Sequence, residues 1–192
     1  SWGQKMADTV MKRNADYWSM DFSTRPKWSY TYGLVLKAMW EVYEETGNEK
    51  ILEYIKGYYD RLVTDQGQIK TYNIKKYNID MIKPGTALLY LYDKTKEEKY
   101  KTAIMTLRQQ MKDHPRTSEG GFWHKKRYPH QMWLDGLYMG SPFLVQYANY
   151  FDEPELLDDV ANQILLMEKR SRDSKTGLLY HGWDWDKNAV WA

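Results

Sequence analysis

The sequence predicts an all-α fold, an α/α toroid of helical hairpins with about three hairpins present of a six-hairpin (α/α)6 barrel. Three observations carry this expectation. An apolar helix followed by an amphipathic one recurs three times, a glycine-containing turn closes each unit, and those glycines recur at a nearly constant interval. A repeat is weighed before any motif because it decides the architecture.

In the first unit, residues 32–46 (YGLVLKAMWEVYEET) pass through Gly47 and Asn48 into EKILEYIKGYYDRLV. The second runs from PGTALLYLYDKT into KEEKYKTAIMTLRQQM, and the third from PFLVQYANYF through Asp152-Glu153-Pro154 into ELLDDVANQILLMEK. The first helix of each pair is apolar nearly all round, as a helix covered on both sides should be; the second keeps charge on one face. Pro84 and Pro142 read as first-turn residues of the second and third inner helices, with Ser141 capping the latter. Gly67, Gly121 and Gly177 lie 54 and 56 positions apart (121 − 67 and 177 − 121). An open arc of hairpins would expose apolar inner edges. The pattern therefore predicts one domain over residues 1–192, an incomplete barrel that is a fragment, a split product, or a protein closed by a complementing half-barrel chain or by self-association.

Composition narrows the function. The 192 residues suffice for a substantial core. A net charge of +2 is too small to argue for nucleic acid or a basic membrane anchor. The chain has no cysteine, which excludes disulfides, thiolate metal sites and cysteine nucleophiles. That absence suits an extracytoplasmic protein, and the sequence leaves cytoplasm and periplasm both open. No apolar run approaches the roughly 20 residues of a membrane span. Ser1–Lys5 has no signal-peptide core, so an export signal is either removed or never existed. Trp and Tyr number 9 and 17 against 4 Phe. Flat apolar faces with polar handles suit sugar rings and a tyrosine-rich core equally well.

The repeat also aligns acids. Measured from Tyr43, Tyr92 and Tyr147 near the ends of the inner helices, the residues twelve positions upstream are Thr31, Asp80 and Asp135. Two adjacent units thus place a carboxylate at the start of an inner helix, on one mouth of the toroid. Packed helices lie about 8–10 Å apart, so the two acids can converge on one small ligand. The plain alternative for either is a helix N-cap. Burial and a like-charged neighbour would raise one carboxyl's pKa, against the pull of the helix N-terminus.

His124 and His181 follow the post-glycine segments of successive units and are expected at the same mouth. Two histidines and two acids raise a metal site, but no close pair such as HxxxH or HxH supports one. His130 reads as a loop residue, and His114, before Pro115, as a surface cation at a helix C-terminus. The run His124-Lys125-Lys126-Arg127 suggests a carboxylate-bearing ligand, although charge runs are commonly just solvated loops. Trp28, Tyr30 and Tyr32 stand where the other units carry their acids, as a stacking wall or as core.

Gly120-Gly121-Phe122-Trp123-His124-Lys125, followed by Gln131-Met132-Trp133-Leu134-Asp135-Gly136-Leu137-Tyr138-Met139-Gly140, closely resembles the unsaturated rhamnogalacturonyl hydrolases of glycoside hydrolase family 105. Asn78-Ile79-Asp80 and Thr176–Asp184 resemble that family too, in the same order. The resemblance implies a six-hairpin barrel, Asp135 as general acid/base and Asp80 as a second essential carboxylate that holds sugar hydroxyls and keeps Asp135 protonated. It implies His124 and His181 as substrate contacts, Trp133 in the sugar pocket, and no metal or organic cofactor. The implied substrate is a small pectin-derived oligosaccharide ending in a 4,5-unsaturated uronate. A sister unsaturated glucuronyl hydrolase or a non-catalytic binding fragment are the rivals. Family members continue past Trp191-Ala192 into a second half that adds tryptophan and arginine contacts.

Overall fold

A computed structural model describes residues 1–189; Val190, Trp191 and Ala192 lie outside the described residues. The chain is mostly helical, with seven α-helices among the described residues. They fall into two compact units, residues 1–72 with 84–105 and residues 73–83 with the segment from 106 onward.

The first unit holds α1 (Trp2–Arg13), α2 (Tyr30–Thr46), α3 (Glu49–Leu62), α4 (Pro84–Thr95) and the start of α5 (Glu98–Lys112). Helix α1, capped by Ser1, has no counterpart among the elements the repeat foretells. Gly47 ends α2 in the left-handed region (φ 63°), and Asn48 caps α3 one residue later. That glycine–asparagine pair turns the chain back so that α3 packs on α2. Pro84 opens α4, as its ring and missing N–H favour.

The core of this unit is tyrosine-rich. Tyr32, Tyr58 and Tyr59 are fully buried among Leu36, Ile51, Ile55 and Leu88. A buried phenol needs a hydrogen-bond acceptor, and here backbone carbonyls supply it. Tyr58 donates to Lys27 O (3.0 Å), Tyr59 to Pro84 O (2.6 Å) and Tyr54 to Asn14 O (2.7 Å). The phenols thereby pin irregular segments to the helices, and the abundance of tyrosine is in this unit a feature of the core. Trp28 belongs to it: only 3% exposed, it packs against Tyr58 and Tyr59. Of the two accounts open to it, its surroundings match core packing; the stacking wall is corrected for this residue. Tyr30, at the start of α2, is 39% exposed.

The second unit holds the end of α5, two 3-10 turns (Ile74–Lys76 and Ile79–Ile82), α6 (Leu134–Phe151), α7 (Glu155–Ser171) and a two-stranded antiparallel sheet, β1 (Gln131–Trp133) with β2 (Gly182–Asp184). Asp152 (φ 55°) ends α6, and α7 folds back onto it. Phe143, Leu144 and Tyr147 of α6 and Leu166 and Met167 of α7 are buried.

Two helix-boundary expectations are corrected here. Helix α6 begins at Leu134, not at Pro142, which lies inside it, so Ser141 is no cap. An interior proline removes one helical hydrogen bond at a cost of about 3 kcal/mol. Tertiary packing overrides it, because the turn before the proline rests on the 79–82 turn. The glycine at the middle turn is Gly120 (φ 91°), not Gly121, so the positive-φ glycines fall 53 and 57 apart (120 − 67 and 177 − 120). An added Cβ on Gly121 would instead lie 2.2 Å from Met132 Sδ. Each of these turns is closed by an isolated antiparallel bridge: Val63 with Ile69, Arg116 with Phe122, Arg172 with Leu179.

Candidate active site

The 113–130 loop is fastened to α7 before it reaches the site. Arg116 forms a two-pronged pair with Asp159 (2.8 and 2.6 Å). The buried Gln163 accepts from Phe122 N (2.8 Å) and donates to Gly120 O (3.0 Å). A buried amide satisfied at both ends is a strong positional constraint. Beyond it, His124 N donates to Gln131 O (2.6 Å), and His124 O accepts from Ile79 N (3.1 Å). That one residue joins β1 to the 79–82 turn.

Asp80 is brought beside it in this way. Asn78 caps the 79–82 turn by accepting from Asp80 N (3.1 Å), and Gln110 Nε2 holds Asn78 O (3.0 Å). Asp80 therefore sits in a 3-10 turn before α4, whereas Asp135 lies in the first turn of α6. The approach of the two segments depends on small residues at Gly136 and Gly140. A Cβ on Gly136 would lie 3.1 Å from His124 Nδ1, and one on Gly140 would lie 2.9 Å from Ile79 Cδ1. Leu134 N donates to His181 O (2.6 Å), which ties His181 to the same helix start.

The carboxylates converge. One ligand-capable atom from each of Asp80, His124 and Asp135 lies within 4.8 Å of the other two. Asp80 is buried; its Oδ2 receives Lys125 Nζ at 2.8 Å, and His124 Nε2 stands 3.1 Å from its Oδ1. Asp80 Oδ1 has no hydrogen-bond partner in the chain and so keeps an unfilled acceptor position. Burial pushes the Asp80 carboxyl up, but His124 and Lys125 together outweigh it and hold it below the ordinary carboxylate value. Asp80 therefore carries its charge at neutral pH. Asp135 is half-buried, with His181 Nε2 at 3.6 Å from an Oδ1 that has no hydrogen-bond partner in the chain.

Trp133 forms the wall. His124 stacks on it (centroids 4.3 Å apart, planes within 7°), as does Tyr128 (5.3 Å, 15°). His181, whose side chain is 72% exposed, leans on the same indole at 5.6 Å. The second unit thus brings together Asp80, His124, Lys125, Trp133, Asp135 and His181. Trp28 and Tyr30 belong to the other unit. Sequence reasoning missed Tyr128, and also Lys83, a buried cation 3.6 Å from the ring of Tyr138. The four-residue spacing of Gly136 and Gly140 was the available sign that something packs closely on α6.

His114 is corrected as well. It is 4% exposed, bonds Trp123 O at 2.7 Å, and meets Tyr77 and Phe122 edge-on. Burial drives its pKa down to about 4, so it is a neutral structural group and not a surface cation. Two carboxylates and an imidazole are also a plausible donor set for a divalent cation. Lys125 already brings a positive charge onto Asp80, and a second cation there would be repelled.

The model of Glycosyl Hydrolase Family 88 matches residues 2–192. The chain belongs to that family. Among family members and relatives, a family-105 glycoside hydrolase from C. acetobutylicum ATCC 824 superposes with a TM-score of 0.92 at 41% identity, over 100% of this chain and 51% of that one. The unsaturated rhamnogalacturonyl hydrolase YesR of Bacillus subtilis (strain 168) is 26% identical over 183 residues, 92% of this chain and 49% of its own. The family 88 chain therefore spans about half the length of the relatives it matches. An α-1,6-mannanase from Salegentibacter sp. HEL1_6, 18% identical with a TM-score of 0.74, shares the fold alone, over 98% of this chain and 57% of its own. The kinship with family 105 expected from the tryptophan-rich acid segment is thereby shown.

Proposed function

We propose that this chain carries the acid–base centre of a glycoside hydrolase that releases a 4,5-unsaturated uronic acid, unsaturated galacturonate, from the non-reducing end of pectin-derived rhamnogalacturonan oligosaccharides. The observation that carries the reading is the pairing of a buried, ionised Asp80 with a half-exposed Asp135 within 4.8 Å. Asp135 delivers a proton to C4 of the enol ether while water adds at C5. The same carboxylate, then ionised, takes the proton of that water. The resulting hemiketal opens and the neighbouring sugar leaves. Asp80 orients the sugar hydroxyls, Trp133 presents an aromatic wall, Lys125 and His181 border the uronate, and the buried His124 stands behind Asp80 and Trp133. Neither a glycosyl-enzyme nor a second water-activating acid is needed, so carboxylate separation does not report retention or inversion here.

The three helix pairs α2–α3, α4–α5 and α6–α7 are read as hairpins of an (α/α)6 barrel. Coverage of about half of the family-105 structure at a TM-score of 0.92 supports that reading. The test follows absorbance of the conjugated double bond on unsaturated rhamnogalacturonan and unsaturated chondroitin disaccharides, with the chain alone and with the remaining length of a family-105 relative added. Loss of absorbance on the first substrate only, reduced about 10²–10⁴-fold by Asp135→Asn, is the expected result. Preference for the chondroitin substrate would point to the glucuronyl sister activity. No loss on either in any combination would sink the hydrolase reading.

A further inference from the structure

Beside the site, the second unit contains an open groove of about 460 Å³ lined by Lys76, Asn78, Lys125, Lys126 and Arg127. Ligand clefts span roughly 300–1,000 Å³. Its lining has four cations and no carboxylate. By contrast, Arg108, Arg116, Arg170 and Arg172 of the same unit each face an acid. Among the described residues no acidic side chain pairs with Lys76, Lys126 or Arg127. Aromatic rings accompany two of them instead: Lys126 Nζ lies 5.6 Å from the Tyr77 ring, and the Arg127 guanidinium lies 4.6 Å from that of Tyr128. A ring attracts a cation without neutralising it, so the charge stays available to an anion.

The groove is held in shape by its backbone. Lys126 N donates to Tyr77 O (3.2 Å), Tyr128 N to Lys125 O (2.9 Å), and Asn78 forms an antiparallel bridge with Lys125. Lys125 is common to groove and site, because its ammonium rests on Asp80. Through Lys125 the groove cations Lys76, Lys126 and Arg127 adjoin the site. Arginine offers a planar fork to a carboxylate, and lysine a point charge.

We infer that this groove is a second carboxylate-binding subsite, taking the next uronate of an acidic oligosaccharide whose terminal sugar lies at Asp80 and Asp135. The inference rests on the proposed function for what occupies the first position. It makes the protein selective for chains longer than a disaccharide, and it leaves the chemical step to the residues already described.

Calorimetric titration separates the two ideas, since it needs no turnover. Wild type and a Lys76→Gln/Lys126→Gln/Arg127→Gln variant are each titrated with an unsaturated rhamnogalacturonan disaccharide and tetrasaccharide, carrying one and two carboxylates, and with a sulfated chondroitin tetrasaccharide. Circular dichroism checks that the variant, altered only on exposed side chains, is folded. Wild type should bind the pectic tetrasaccharide about tenfold more tightly than the disaccharide, and the variant should lose that advantage while its disaccharide affinity is unchanged. Equal affinity of wild type for both lengths, absence of tetrasaccharide binding, or an equal loss on both in the variant would overturn the subsite. Tighter binding of the sulfated ligand would overturn its assignment to uronate. Length-dependent binding without loss of the double bond would leave the subsite standing and remove the hydrolase.

Discussion

His114 and His124 belong to one loop system and are both buried, yet they do opposite things. His124 faces a carboxylate at 3.1 Å, whereas His114 is wrapped by Tyr77 and Phe122 and bonds a carbonyl. Its pKa of about 4, set first by burial, lies below the ordinary 6.5. Between those values the unfolded chain binds the proton and the folded one does not. Stability is therefore complete above about pH 6.5 and falls as the solution is acidified toward pH 4, by roughly 3 kcal/mol at most. Thermal melts from pH 7 to 4.5 should decline less steeply for His114→Gln than for wild type; parallel curves would refute the assignment. At this scale the approach of Asp80 and Asp135 was legible from their common offset from a tyrosine, although one lies in a 3-10 turn ahead of its helix and the other inside one. His114 was not, since a histidine before proline at a helix end reads as exposed, and only the tertiary wrapping reveals otherwise.

Helices were the most legible elements, since the alternation of all-apolar and amphipathic segments survives in α2 to α7. What escaped were boundaries and short pairings. Pro142 looked like a helix start because local chemistry says so, while packing against the 79–82 turn carries α6 eight residues further back. Three-residue strands such as β1 and β2 are too short for an alternating pattern to mark them. The glycine turns were visible, but their partners were not. Gly67 combines a φ of 77° with a close approach to α5, where an added Cβ would lie 2.3 Å from Thr102 Cβ and 2.9 Å from Lys99 O. Neither neighbour is the free end of a flexible chain. Gly67→Ala should cost about 2–4 kcal/mol, measured by urea unfolding, through backbone strain and displacement of α5 together. A loss below 0.5 kcal/mol would mean that the turn relaxes freely.

Over the whole molecule, a net charge of +2 hides an uneven distribution. Arg108, Arg116 and Arg170 are paired with acids, while Lys76, Lys126 and Arg127 in the groove have no acid partner among the described residues. Attraction of an acidic ligand to exposed cations is screened within about 10 Å at 0.1 M salt. Raising NaCl from about 20 to 200 mM should weaken binding of the pectic tetrasaccharide about three- to tenfold, with little effect on a neutral sugar. A salt-independent Kd would argue that contact shape, not charge, dominates.

The turn between α6 and α7 has a practical corollary. Asp152 holds a left-handed backbone (φ 55°) that an L-residue adopts at a cost, although aspartate tolerates it better than most. Asp152→Gly should thus raise the melting temperature by about 1–3 °C. Scanning calorimetry would show whether this exposed corner is a foothold for making the protein hardier while its chemistry is left alone.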